Sequence, residues 1–460
     1  MPAPPPPSES PRFGRYREVL RIATPLIIGN SVLTLMQFCD RLFLARYSSV
    51  SIQAALPAGI LSFTFISLFV AAAGYSGTFV AQYHGAGDRR QCVRITAQGL
   101  WLALACIPCL HLLTPLGIWA MRVIGHAPEV VAEERIYFGW MMLGGFLIPL
   151  NAVIGGFFTG QSRMRLHMTA NVIGALANIV LDYLLIFGRC GFPRMGIEGA
   201  AIATVLAGAI APLVQLAVFL RDPFVRELGA RAVWRPDPAL MRRILRFGIP
   251  AGLHLMADVT SFAAFVMLTG RLDALSLAAS NIALSINWLV VCPLMGMSAA
   301  AAILTGQHQG SRDSAAAAQA GWNTLRLAWA YMAVMAGLFI AGSNLLFRLF
   351  YAADSGFSLA QLQAIGFQMM VAMTLWGLFD TASIVLTGAL RGVGDTRFVM
   401  VYMLIMGWGL WIPAEVLVLA RGGTILHAWY VLAVYVALLS FGFILRWRNG
   451  RWRTIRLIPE

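Results

Sequence analysis

Four aspartates lie inside long apolar runs of this chain: Asp40, Asp182, Asp258 and Asp380. An ionisable group at membrane depth is costly, and its default reading is functional. In the first half, the segment NIVLD sets Asn178 and Asp182 four residues apart, on one face of a helix. Gln37 stands one turn before Asp40, and Thr204, in GAAIAT, adds a hydroxyl. Two carboxylates, an amide carbonyl and a hydroxyl form an all-oxygen set that suits a hard cation such as Na⁺. The same two carboxylates held close would resist double ionisation, which suits a proton carrier. The residue types leave both open. The plainer reading of Asp40 is an ion pair with Arg41 or Arg46; Asp182 has no arginine near it before Arg189.

In the second half, HLMAD puts His254 and Asp258 on one helical face, and Asp380 lies among aromatics in LWGLFDTAS. A histidine one turn from a buried aspartate could relay a proton, although a lone histidine is more often a hydrogen-bonded core residue. Trp288, Trp376 and Phe379 could line a cavity for organic cations through cation–π contact, with Gln37 as a further candidate cavity residue; packing and lipid contact are equally compatible with the aromatics. Glu415 lies nearer a run's end and Glu198 at a loop edge.

These side chains need elements that hold them in a membrane, and the composition supplies such elements. Of 460 residues, 59% are apolar and 12% charged, against about 45–50% and about 25% in soluble domains. That excludes a water-soluble globule. The 34 basic residues outnumber the 20 acidic ones, for a net charge of +14, and all of the basic ones are arginine. They fall in short clusters between the apolar runs rather than on one basic face, so a nucleic-acid partner is not expected. Twelve runs are long enough to span: 19–44, 54–80, 93–118, 136–159, 168–188, 197–220, 242–269, 275–304, 320–349, 361–388, 398–419 and 424–445. They are too long and too evenly apolar for barrel strands, so they read as helices.

Assigning alternate loops to one side places 24 arginines with the N-terminus and nine opposite, with Arg326 inside a run. The positive-inside rule then puts both termini in the cytoplasm, which requires an even number of spans. The six cysteines read as small apolar side chains, with no zinc-ligand spacing. His84, His126 and His167 are scattered over different loops without acid partners at ligand spacing, and His84 and His167 read as ordinary loop residues. Nothing therefore resembles an enzyme's nucleophile–base constellation.

The chain also repeats. With an offset of 225, RIATP at Arg21–Pro25 falls on RFGIP at Arg246–Pro250, and Arg46 falls on Arg271. AQYHGAGD (Ala81–Asp88) falls on GQHQGSRD (Gly306–Asp313), matching Gln82 to Gln307, Gly85 to Gly310 and Asp88 to Asp313. With an offset of 228, TGQSR (Thr159–Arg163) falls on TGALR (Thr387–Arg391). Six helices per copy keep both copies in the same orientation, so the lobes are related by an axis along the membrane normal. A two-lobed molecule with a central cleft is the architecture of a rocking carrier.

TGALRGVGDTR (Thr387–Arg397), NIVLDYLLIFG with MGIEGAAIAT (Asn178–Thr204) and VAQYHGAGDRR (Val80–Arg90) together resemble the multidrug and toxic compound extrusion (MATE) transporters, from about Arg21 to Trp447. The resemblance implies twelve helices in two six-helix lobes and export of organic cations and other drugs by antiport with Na⁺ or H⁺. It aligns Asp40, Asn178, Asp182 and Thr204 with the first-lobe cation site of prokaryotic members. Asp258, eight residues after Pro250, takes the place of a seventh-helix acid that is commonly Glu in NorM-type members, and Asp380 takes that of the tenth-helix acid. Acids in both lobes resemble NorM-type more than DinF-type proteins. Pro25 matches a first-helix proline linked in some members to bending.

The expected fold is thus an all-α polytopic membrane protein. It has a disordered Pro-rich tail over 1–18, an N-lobe over 19–220, an inter-lobe loop over 221–241, a C-lobe over 242–446 and a basic tail over 447–460. The expected function is a monomeric drug antiporter of the bacterial inner membrane, in contact with lipids and without a cofactor other than its coupling ion. The alternative is a lipid-linked saccharide flippase of the same superfamily, which the acidic rather than basic mid-membrane charges disfavour.

Overall fold

A backbone that crosses hydrocarbon must satisfy its own polar groups, and a helix does so within one segment. The computed structural model describes residues 12–124, 126–229, 233–270, 272–351 and 357–458, and among them no strand occurs. The N-lobe is built from α1 (Arg12–Tyr47), α2 (Ser49–Gly74) continuing into α3 (Ser76–Gly85), α4 (Arg89–Ile124), α5 (Pro128–Gly144) continuing into α6 (Leu147–Gly160), α7 (Met164–Phe187) and α8 (Ile197–Leu220). A short α9 (Pro223–Leu228) lies in the connection. The C-lobe contains α10 (Pro238–Thr269), α11 (Ala274–Gly310), α12 (Ser314–Phe350) and α13 (Leu359–Val393). It is completed by α14 (Thr396–Leu404), a π-helical turn at Ile405–Trp411, α15 (Ile412–Ala420) and α16 (Ile425–Arg448). Twelve of these helical stretches are long and apolar enough to cross a membrane.

Several limits differ from the apolar runs, because a helix continues past the membrane edge until something breaks it. Residues 12–18, expected in the disordered tail, form the first turns of α1; residues 1–11 lie outside the described residues, as does Arg271. The π-helical turn stands just before Pro413, which lacks the N–H that an α-helix would send to Gly409.

Acids outside the membrane act as helix caps. Asp88 accepts from Gln91 N–H at 3.0 Å, Asp237 from Ala239 and Leu240 N–H at 3.1 Å each, Asp273 from Ser276 N–H at 2.9 Å and Asp313 from Ala316 N–H at 2.8 Å. The Ser276 hydroxyl also donates to Asp273 at 2.6 Å, and these bonds hold that carboxyl below the usual carboxylate range. The intramembrane acids have no such role.

The lobes meet along α2 with α10, α1 with α11, and α3 with α11. Glycines permit the approach: Gly248 faces the Ala72 carbonyl, Gly252 the Leu68 carbonyl and Gly296 the Ile27 backbone. Gly85 lies against the Gln307 carbonyl and Gly310 against the Gln82 carbonyl, each without room for a Cβ. Gln82 Nε2 donates to the Gly392 carbonyl at 3.0 Å, while Gln307 Nε2 donates to the Gly160 carbonyl at 2.8 Å and to Ser162 Oγ at 3.0 Å. The residues matched by the repeat thus face one another across the seam, at the Arg-rich end. Toward the other end, Gln37 on α1 and Asp258 on α10 are exposed.

Candidate functional site

Packing of α1 on α7 brings Asp40 to Asn178 and Asp182. Asn178 and Asp182 are buried, 1% and 0% exposed, and Asp40 is half-buried. With its nitrogen toward the carboxylates, the Asn178 amide donates to Asp40 Oδ1 at 2.9 Å and to Asp182 Oδ2 at 3.2 Å. With its oxygen turned there instead, three oxygens converge, as in a partial shell for a hard cation. Asp182 Oδ1 is buried with no hydrogen-bond partner among the described residues, which leaves one ligand oxygen in reserve.

The ion pairs among the described residues are Arg90–Glu227, Arg94–Asp237, His126–Glu134, Arg163–Asp222 and Arg446–Asp395. Asp40 is in none of them, so the plainer reading of Asp40 as the partner of Arg41 or Arg46 is not what the packing produces. Thr204 Oγ1 donates to the Ala200 carbonyl at 2.9 Å, which keeps its oxygen available only as an acceptor. Tyr137 of α5 lies close enough to feel both carboxylate charges. Sequence reasoning missed it, since a lone tyrosine in an apolar run carries no spacing signal.

In the C-lobe, Asp258 on α10 and Asp380 on α13 lie within electrostatic reach of each other and of Tyr435 on α16. Tyr435 stacks on Trp411 with ring centroids 4.6 Å apart and donates to Met403 Sδ at 3.1 Å. Glu415, one turn beyond Trp411, is fully buried with both carboxyl oxygens unpartnered among the described residues. The remaining candidates do not assemble as expected. His254 Nδ1 is buried without a partner, so no hydrogen bond links that nitrogen to Asp258 as a relay. Trp376 is 6% exposed and packs edge-on against Trp429 at 5.9 Å, inside the apolar core rather than along a cavity. Trp288 is half exposed on α11 and Gln37 exposed on α1.

Two histidines also depart from the expectation. His84 lies in the last turn of α3 and His167 in the first turn of α7, not in loops. His167 Nδ1 is 2.9 Å from Gln215 Oε1, Gln215 Nε2 donates to Asn151 Oδ1 at 2.8 Å, and Asn151 Nδ2 donates to Asn171 Oδ1 at 3.0 Å. Gly155 makes room for the His167 ring. His126 Nδ1 lies 2.7 Å from Glu134 Oε1, so an acid partner exists eight residues along the chain. Helix α5, entered just after His126, turns Glu134 back toward it.

The chain matches the MatE family model over residues 25–184 and again over 250–417. It is similar to a probable multidrug resistance protein NorM of Pseudomonas aeruginosa, with 29% identity covering 98% of this chain and 92% of that one. It is also similar to the multidrug resistance protein PmpM of the same organism, with 28% identity covering 86% and 82%. Among solved structures, an outward-facing multidrug resistance MATE family transporter of the MOP superfamily superposes with a TM-score of 0.83 at 20% identity, covering 95% of each chain. A MOP superfamily transporter from Pyrococcus furiosus, described as having a binding pocket of reverse polarity, superposes with a TM-score of 0.81 at 19% identity over 95% of each chain.

Proposed function

The chain belongs to the MatE family, and on that footing we propose that it is a secondary active multidrug efflux antiporter of the bacterial inner membrane. It exports organic cations in exchange for Na⁺ or H⁺, as a monomer with both termini in the cytoplasm. The observation that carries the reading is Asn178 set between two carboxylates that form no ion pair with an arginine among the described residues.

Asp40, Asn178 and Asp182, with the Thr204 oxygen as a further acceptor, hold the coupling ion. Binding of Na⁺, or of a proton, removes negative charge that otherwise retains a cationic substrate. Competition for the same charge couples the two fluxes, provided the lobe arrangements differ in affinity for each. Asp258 and Asp380 form the second acidic group, and the exposure of Asp258 makes it reachable by a substrate's cationic end. One elementary charge moving down 100 mV supplies about 2.3 kcal/mol to the cycle.

The deciding experiment is efflux of a fluorescent cation from everted vesicles under a Na⁺ gradient or a pH gradient imposed separately. Transport driven by one gradient identifies the ion. Transport driven by neither would remove the antiport reading and favour a flippase of the same superfamily.

A further inference from the structure

The last described residues, expected to form a basic cytoplasmic tail, are packed rather than free. After α16 the chain turns at Gly450, forms a 3₁₀ turn over Arg451–Thr454, and continues extended at Ile455. Trp452 is fully buried, stacked on Trp447 at 4.3 Å, and donates through Nε1 to the Trp447 carbonyl at 2.9 Å. It belongs to an apolar cluster built mainly from C-lobe residues. Five residues later, Leu457 is also fully buried, in a cluster that joins Phe79, Val80 and Phe158 of the N-lobe to Ile244 and Ala251 of α10. Ile455, between them, packs against both clusters.

Polar contacts fit the same seat. Gln309 Nε2, at the end of α11, is 3.3 Å from the Arg453 and Ile455 carbonyls and donates to them. Gly394 has φ +97, and Leu457 fills the space where a side chain would stand. Arg451, Arg453 and Arg456 remain exposed. One short segment is therefore anchored in both lobes at the end where α3 meets α11.

We propose that residues 451–458 are an inter-lobe strap that holds the Arg-rich side closed, and that Leu457 leaves its N-lobe seat when that side opens. The two anchors are unequal. Trp452 buries a larger side chain, stacks and hydrogen-bonds within its own lobe, whereas Leu457 is a single aliphatic side chain shared between Gly394 of the C-lobe and the cluster that reaches the N-lobe. When the lobes part, the weaker anchor releases and the strap stays with the C-lobe. The inference rests on the two-lobe rocking reading above.

The test measures the distance between labels at Arg165 on α7 and Arg397 on α14, both exposed and outside the site. Labels carried on unnatural amino acids leave the native cysteines in place, and double electron–electron resonance reads the distance distribution. The variants are deletion of 455–460 and Leu457→Ser, each checked for folding by size exclusion. Loss of a fully buried leucine should raise the ratio of long to short distances about tenfold in both. A ratio unchanged from the intact chain, in a chain that does show both distances, would overturn the strap alone. If deletion prevents folding, Leu457→Ser decides by the same criterion. If no chain shows a second distance with Na⁺, at low pH or with a cationic dye, the rocking reading falls and the strap with it.

Discussion

Asn178 on α7 reaches Asp40 on α1 at 2.9 Å, and the same amide reaches Asp182 Oδ2 at 3.2 Å. An amide can present either its N–H or its carbonyl to this pair. It can therefore bridge the two carboxylates when no ion is bound, and ligate a cation when one is. Asn178→Ala removes both options. We expect ion-driven efflux to fall about tenfold or more, from loss of one charge-assisted bond or ligand. Asn178→Asp should not restore it, because a third carboxylate adds repulsion. Efflux equal to that of the unaltered chain in Asn178→Ala would remove Asn178 from the site.

Asp40→Asn and Asp182→Asn should each abolish drug resistance with membrane abundance near normal, since each keeps the side chain's shape and removes its charge. Resistance assays paired with immunoblots of membranes check this. Full resistance in both variants would sink the first-lobe site.

Gly85 and Gly310 sit where the lobes touch most closely, each against a carbonyl of the other lobe's glutamine. Gly85→Ala and Gly310→Ala should press the Arg-rich ends apart, because backbone cannot yield as a flexible side chain does. An overpacked contact costs about 1–3 kcal/mol, which corresponds to a shift of roughly fivefold to a hundredfold toward the arrangement open on that side. Thiol-labelling rates of a cysteine placed at Ser162, on the same seam, should rise by a similar factor.

Trp376 gives a contrast between packing and substrate contact. Buried against Trp429, it should cost about 3–5 kcal/mol of stability when changed to Ala, with a lower thermal midpoint in detergent. Trp376→Phe should recover most of that stability and keep the order of preferred substrates. A changed substrate order in Trp376→Phe, without loss of stability, would return Trp376 to the cavity.

Asp273 provides the pH dependence. Ser276 holds its carboxyl below the ordinary 3.8 in the folded chain. A depressed folded value means stabilisation that is fully present above the unfolded value and is lost as pH falls through the folded one. The first turn of α11 should therefore loosen below about pH 4, and Asp273→Asn should remove that dependence while keeping a capping oxygen. Hydrogen exchange of the amides near Ser276, measured across that range, reads it directly.

How much of this was legible beforehand depended on the range of each interaction. Asn178 and Asp182 share a helix, and a four-residue spacing places them on one face in any fold. The repeat matched Gln82 to Gln307 and Gly85 to Gly310 without showing that they meet. Trp376, Trp288 and Gln37 looked alike as cavity residues, yet Trp376 is 6% exposed, Trp288 is half exposed and Gln37 is exposed, because the apolar period of a membrane helix does not distinguish a core face from a lipid or cleft face. His167 carried a signal that went unused: with Asn171, Asn178 and Asp182 it forms a polar stripe along α7 at helical spacing.

From the amino-acid sequence alone came the membrane, the twelve spans, the repeat and the acids that a membrane makes expensive. Those follow from local chemistry: hydrophobicity over about 20 residues, the helical period, and the cost of burying charge. The tertiary structure decided which side chains from different helices touch. Asp40 reaches Asn178 because α1 packs on α7, and Leu457 reaches the N-lobe because a three-arginine tail folds back under both lobes. Such contacts depend on inter-helix distance and rotation, which are set by close packing of many side chains at once, and no single spacing in the chain encodes them.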